Sequence, residues 1–356
     1  MRKILAKRHL RFLLKRVKYS HHILNSSIAP VYTIILPLHN AENSVYKCLK
    51  SLEKSTSLPH SFVIIFDGCK DLTQNIVKSY FSNLNKDQSL IESATFCYSR
   101  RQLYETLSDY IGFNRTMTQF ALEIQSDMFI ADYGFDTHHI NYLVLNNSII
   151  ATSGRGLFSR KIIVNNQLNC CLCGTSLVGS IFNILMPSLF NILKKFIHKN
   201  KSFSMRQLPL SSALHIGNGS CSHDLDSLRV SEPILSISID PHISFNEQSI
   251  LHDKLKNRFY TGLDYCIRGP LFVNTVLYQK VGGLNIEAFF LGYDDVDLFL
   301  RAKYLGYGVA FSPVKFTSPL ELGVSRQTRS FVDRINLAYN LFVRSKCPSI
   351  SSFQTY

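Results

Sequence analysis

No acidic residue precedes Glu42, and none occurs between 137 and 223. Against those gaps stand eight Lys/Arg in residues 1–22 and eight more in 137–223. The two stretches together carry +16 while the whole chain carries +14, so the remainder is slightly acidic at −2. A nucleic-acid enzyme gathers its basic surface around its site. Here the body is not basic, which argues against nucleic acid as a partner and for another anion, such as a membrane face or a phosphorylated substrate. Glycine (17) and proline (11) are too scarce for a collagen-like or low-complexity chain. The nine cysteines are odd in number and irregular in spacing, which excludes a secreted disulfide framework and points to reduced thiols in the cytoplasm. Charges interrupt every apolar run near the N-terminus, so no signal peptide is expected there. No P-loop, GxSxG or GxGxxG occurs, and no internal repeat is visible.

Apolar residues make up 46%, with 25 Phe and 17 Tyr, ample for two domains or one large α/β domain with insertions. In the first residues, Lys7, Arg8, Arg11, Lys15 and Lys18 share one side of a helical wheel, and Ala6, Leu10, Leu13 and Val17 share the other. This pattern fits a basic amphipathic helix lying on an anionic membrane, a solvated helix packed on the body, or a frayed basic tail. Val31–Leu36 reads as a buried strand stopped by Pro37, and Ser44–Leu52 as a helix. Phe62–Phe66 is a second strand, Asp71–Tyr80 a second helix, Ala94–Tyr98 a third strand, and Tyr104–Ile124 a helix running into a fourth strand. Such alternation predicts βαβ units, a parallel sheet, and ligands at the carboxyl ends of its strands. Residues 146–260 differ. They are rich in Asn and Ser, with an uncharged stretch 174–193 that reads as an interfacial or packed helix rather than a membrane span. Order returns with a strand and helix over 269–281 and a patterned segment over 289–313.

Two groups of residues carry chemistry. Carboxylates stand at the ends of the early strands: Asp67 and Asp71 after one, Asp127 after another. Each suits a base, a ribose or a phosphate-bound metal, although Asp71 also suits a helix cap and Asp67 a turn. The second group is Asp294, Asp295 and Asp297, followed by Arg301. Carboxylates this close are kept near a metal or an arginine, or as a general base. Asp297 is also well placed to pair with Arg301 one turn on. Cys170, Cys171 and Cys173, with His215, Cys221 and His223, form a loose zinc-like set that reads better as buried thiols. His138-His139 and His21-His22 have no ligand spacing behind them.

The order of these motifs is similar to that of family 2 glycosyltransferases with the GT-A fold. Val31-Tyr-Thr-Ile-Ile-Leu-Pro-Leu-His-Asn-Ala-Glu42 resembles their opening strand and loop, and Val63-Ile-Ile-Phe-Asp-Gly-Cys-Lys-Asp-Leu-Thr73 their second strand and "DGSTDGT" loop. Glu123-Ile-Gln-Ser-Asp-Met128 sits where the family has its DxD metal motif. Gly282-Gly-Leu and Gly292-Tyr-Asp-Asp-Val-Asp-Leu-Phe-Leu-Arg301 resemble the "GGF…ED-x-DL-x-x-R" element, and Arg326-Gln-Thr-Arg329 the basic element after it. The resemblance covers about 31–136 and 266–335. The chain departs from the pattern at Gln125, which replaces the first Asp of DxD, at Cys69-Lys70 in place of Ser-Thr, and at Asp294 in place of Glu. Tryptophan, which often follows the basic element, is absent altogether.

The resemblance implies an α/β, GT-A-type mixed, mainly parallel sheet flanked by helices, with a large insertion. It divides the chain into a basic amphipathic segment (1–28), a nucleotide-sugar-binding half (29–145), an insertion on the acceptor side (146–262), an acceptor-binding and catalytic half (263–345) and a tail (346–356). The implied donor is a UDP- or GDP-type nucleotide sugar, contacted by Pro37, His39, Asn40, Glu42 (ribose), Asp67 (nucleobase), Asp71, Gln125, Ser126, Arg326 and Arg329. Asp127 would bind Mg²⁺ or Mn²⁺, and Asp295, with Asp294 second, would be the general base of an inverting transfer to a glycan, lipid-linked or protein acceptor. A nucleotidyltransferase on a similar sheet is the rival enzyme, but the Pro37–Ala41 loop lacks its glycines and basic residues. A degenerate transferase that only binds nucleotide or glycan is the non-enzyme alternative, kept open by Gln125. The expected location is the cytoplasm, at the periphery of an anionic membrane.

Overall fold

The structure, a computed structural model, describes residues 2–85, 89–159, 214–216, 235–238, 252–253, 255–256, 258–262, 264–286 and 294–319. Arg326 and Arg329, the stretch 174–193, the zinc-like cysteines and the tail lie outside them.

The chain begins with α1 (Arg2–Leu14), followed by β1 (Lys18–Ile23). The four periodic units follow in the expected order. They are β2 (Tyr32–Leu38), α2 (Val45–Ser55), β3 (His60–Asp67), α3 (Thr73–Ser82), β4 (Ile91–Ser99), α4 (Glu105–Arg115) and β5 (Phe120–Glu123). After β6 (Phe129–Ile130) and α5 (Phe135–Leu145) come β7 (Ile149–Ser153), β8 (Gly156–Ser159), β9 (Leu214–Ile216), β10 (Leu235–Ser238), β11 (Tyr265–Cys266) and β12 (Leu271–Asn274). The described chain closes with α6 (Thr275–Lys280), α7 (Asp294–Tyr304), β13 (Gly308–Phe311) and β14 (Phe316–Thr317).

Eight strands form one sheet in the order β1-β4-β3-β2-β5-β12-β7-β13. β1 and β12 run antiparallel to their neighbours and the other six are parallel, so the sheet is mixed and mainly parallel, as expected. β7 lies within the span 146–262 but is a strand of this main sheet. Side-chain alternation along the buried strands builds a layer on each face. Ile34, Leu36, Phe62, Ile64 and Phe66 pack with Leu49, Val77, Phe81 and Ile140 of α2, α3 and α5. Ile35, Val63 and Ile65 pack on the other face with Leu107, Ile111, Leu277 and Phe299 of α4, α6 and α7. Beyond Glu123, which pairs with Ile35, β2 has a neighbour on one side only. It therefore runs through Pro37 to Leu38 rather than stopping at it, since a residue without an N–H is tolerated at such an edge.

The N-terminal segment takes the second of its three expected forms, a helix packed on the body. Leu10, Leu13 and Val17 are buried in the layer that holds α4, while Arg8, Arg11, Lys15 and Lys18 are exposed. Its apolar side is inside the protein and cannot enter a bilayer. Among the described residues no helix is long and apolar enough to cross a membrane.

Candidate active site

Chain order reverses at β2: β3 and β4 lie to one side of it, β5 to the other. The crevice at such a switch point, outside the carboxyl ends of β2 and β5, is where parallel sheets bind ligands. Two loops fix its first wall by exchanging hydrogen bonds. The Glu42 N–H donates to Asp71 Oδ2 (3.0 Å), and the Leu72 N–H donates to Glu42 Oε2 (3.0 Å). The Thr73 N–H donates to Asp71 Oδ1, Thr73 Oγ1 accepts from the Ala41 N–H (2.7 Å), and Asn40 Oδ1 accepts from the Lys70 N–H. Asp71 thus serves the cap-like turn before α3, and Asn40 sits at φ 47°, which the short Asn side chain tolerates.

His39 Nδ1 donates to the Asp67 carbonyl, leaving Nε2 to accept from the amide groups of Gln102 and Asn40, each at 3.3 Å. A proton on Nδ1 and a lone pair on Nε2 satisfy all three contacts. The Asp67 carboxylate is 4% exposed and accepts from the backbone N–H groups of Leu103 and Tyr104, holding Tyr104 at φ 64°. Gly68 above it cannot carry a side chain: its φ is +61° and a Cβ would come within 2.8 Å of the Gln102 backbone nitrogen.

The second wall follows β5. Gln125 Nε2 donates to Glu105 Oε1 (3.4 Å), and Gln125 and Ser126 are half-buried. Asp127 is 6% exposed, and among the described residues its carboxylate makes no hydrogen bond or ion pair. A bare carboxylate at a strand end fits one hard divalent cation whose other ligands come from phosphate oxygens. No group of three or more His, Cys, Asp or Glu among the described residues could hold such an ion alone.

The third wall is the start of α7. Asp294 is fully buried and donates nothing outward; it accepts from Arg268 Nη2. Asp295 is 21% exposed at its side chain and lies 3.8 Å from Arg268 Nε. Burial raises its pKa to about 6, Arg268 opposing and Asp294 adding. Asp297 pairs with Arg301 at 2.7 Å, one of the two readings of its spacing. Arg301 also donates to the carbonyls of Val281 (2.5 Å) and Gly283 (2.7 Å), and so fixes the Gly282-Gly283 turn.

Four residues of this site escape a reading of the sequence. Arg268 Nη1 is 3.2 Å from Glu105 and also donates to Asp109, both on α4. Glu123, at the end of β5, is 2% exposed, and burial pushes its pKa up to about 7, against Arg268. Only a lone Glu in an otherwise apolar strand hints at it. The histidine pairs take no part. His139 is buried, stacks on Phe272 at 4.7 Å and has its pKa lowered by burial to about 3, while His21 bonds Thr95 on the sheet edge. Cys48, Cys69, Cys97 and Cys266 are unpaired.

No curated protein matches the sequence. Among solved structures, the mannosyltransferase PcManGT from Pyrobaculum calidifontis, in complex with GDP-Man and Mn²⁺, is similar at TM-score 0.42 and 11% identity, over 88% of this chain and 62% of that one. GalNAc-T7 with UDP, GalNAc and Mn²⁺ has a TM-score of 0.48 and 9% identity, over 82% of this chain and 44% of that one. TarS 1–349 of S. aureus in complex with UDP has a TM-score of 0.40 and 12% identity, over 90% and 68%. The chain therefore spans under two thirds of PcManGT and under half of GalNAc-T7. Residues 33–94 match the model of the family described as Glycosyl transferase family 2. That span, from β2 into β4, carries Pro37, His39, Asn40, Glu42, Asp67 and Asp71, and the family it matches is the one that the motifs resemble.

Proposed function

We propose that the chain is a glycosyltransferase that moves a sugar from a UDP- or GDP-type donor to a hydroxyl group, with inversion and with the help of Mg²⁺ or Mn²⁺. The observation that carries this reading is a continuous polar path between two walls of the crevice. Gln125, two residues before Asp127, bonds Glu105; Glu105 meets Arg268; and Arg268 meets Asp294 and Asp295. The loop that carries the metal-ligand candidate Asp127 and the helix start that carries the base candidate Asp295 are thereby joined by one network at the carboxyl end of the sheet.

The residues divide the work by position. The Asn40–Glu42 and Asp67–Asp71 loops, locked to each other, offer a preformed seat for the nucleoside. Asp127 would hold the cation, which when bound neutralises the charge developing on the diphosphate leaving group. Asp295, partly exposed and ionised above about pH 6, accepts the proton of the attacking hydroxyl. Asp294, fully buried and held by Arg268, supports the turn rather than reaching substrate. Arg326 and Arg329 complete the assignment as phosphate ligands on their motif alone. The acceptor is a glycan, free, lipid-linked or on a protein. The odd number and irregular spacing of the cysteines support the cytoplasm as the location, and the exposed cations from Arg8 to Lys18 support attraction to an anionic membrane through charge alone.

Gln125 favours a second reading, a binding protein without turnover, because an amide replaces a charged ligand. Hydrolysis of a donor panel, including UDP-GlcNAc and GDP-mannose, with Mn²⁺ and with EDTA decides between them. Turnover that EDTA removes is expected; donor binding with no turnover on any donor overturns the enzyme.

A further inference from the structure

Arg268 precedes β12 and is 9% exposed. Its three nitrogens divide between two elements: Nη1 meets Asp109 and Glu105 on α4, while Nη2 meets Asp294 and Nε lies nearest Asp295, both on α7. The other oxygen of Asp109 and the other oxygen of Asp294 are buried with no hydrogen-bond partner. Both oxygens of Glu123 are in the same state. Glu123 pairs with Ile35, so it projects from the face of the sheet that α4 covers. Four carboxylates therefore lie within 4 Å of one guanidinium, and Glu123 is near enough to feel its charge. Cys266 and Tyr278 also face this group, but burial pushes both pKa values up and keeps them neutral.

Resting on the reading of Asp295 as a base, we propose that Arg268 is a positioning residue for it. Arg268 ties the first turn of α7 to α4, and its charge, balanced by Glu123, sets the pH range in which Asp295 works. Carboxylates packed this closely do not all ionise around one cation. Protons on Asp109 and Glu123, both with pKa values raised by burial, make up part of the deficit. Asp295, 21% exposed at its side chain, keeps its ionised form because Arg268 is beside it.

The test is the pH profile of kcat/KM for donor turnover in Arg268→Gln, Arg268→Lys and Glu123→Gln. Arg268→Gln is expected to move the acid limb up by about one pH unit or more and to lower kcat. Glu123→Gln is expected to move the limb down by about half a unit with kcat nearly kept. Arg268→Lys should bring the limb back towards wild type without restoring kcat, since one ammonium cannot fork onto two carboxylates. A uniform loss at every pH, with the limb unmoved in Arg268→Gln and Glu123→Gln, overturns the proposal; if circular dichroism shows Arg268→Gln unfolded, an unmoved limb in Glu123→Gln does so alone. Wild-type turnover in Asp295→Asn overturns the assignment of the base instead. An arm without turnover remains in every case. Ionising the buried Glu123 destabilises the fold, so the urea midpoint should fall as pH rises from about 5 through 7 in the wild type and fall less steeply in Glu123→Gln, where only the other buried carboxylates still titrate. An unchanged slope in Glu123→Gln also overturns the charge balance.

Discussion

Asp294 and Asp295 are neighbours with opposite fates. One is sealed against Arg268; the other keeps 21% of its side chain exposed and stays ionised only above about pH 6. Asp295→Asn is therefore expected to lower kcat on the order of 10²-fold or more with donor affinity nearly kept. In the wild type, kcat/KM should rise with pH through about 6, because the base works deprotonated, and that limb should vanish in Asp295→Asn. Steady-state kinetics with donor titration reads both; a collapse of donor affinity with kcat unchanged makes Asp295 a donor ligand. Asp127→Ala should abolish metal-dependent turnover and leave the far-UV spectrum intact, and full activity of that variant with saturating Mn²⁺ rejects the metal assignment. Sequence spacing made these aspartates visible because strand ends and clustered carboxylates leave a local mark. Arg268, Glu105 and Asp109 left none, and Glu123 only the hint of one Glu in an apolar strand. They meet only because β12 pairs with β5, Leu271 opposite Glu123, across a gap of almost 150 residues.

At the scale of elements, the crevice depends on loops that bond to each other more than to the sheet. The α2–β3 connection is pinned the same way. Asp136, fully buried in the first turn of α5, accepts from the Tyr32 hydroxyl, the Ser57 N–H and hydroxyl, and the Leu58 N–H, at 2.8–3.1 Å. Asp136→Ala leaves those buried donors unpaired, which costs about 3 kcal/mol. Urea unfolding should show a lower midpoint at an unchanged slope, and a midpoint equal to wild type would contradict the pin. The parallel units β2 to β5 were legible because period-3.6 and buried-strand patterns are local. β1 was not. Its side chains are mostly exposed, so no apolar alternation announces it, and its pairing with β4 is settled some 75 residues away. The antiparallel direction of β12 was equally hidden, since direction is set by the connection and not by composition.

For the molecule as a whole, the excess of positive charge needs a destination. The helix that brings part of it is not free to lie in a membrane, because Leu10, Leu13 and Val17 belong to the core. What remains outside is a row of cations: Arg8, Arg11, Lys15 and Lys18. Near an anionic surface each contributes about 1 kcal/mol, enough in sum for adsorption and too little for insertion. The protein is therefore expected to float with vesicles containing anionic lipid at low salt and not with neutral ones. As the Debye length shrinks from about 10 Å at 0.1 M to about 3 Å at 1 M salt, binding should be lost. Removing residues 1–22 is a poor test, because it would open the core and strip β1 from β4. Reversal of the exposed row, Arg8→Glu with Arg11→Glu and Lys15→Glu, leaves the buried side chains in place. It should abolish flotation while donor hydrolysis in solution stays within about twofold of wild type. If the wild type does not float at low salt, these charges serve solubility or a polyanionic acceptor, and the membrane has no part in the enzyme's work.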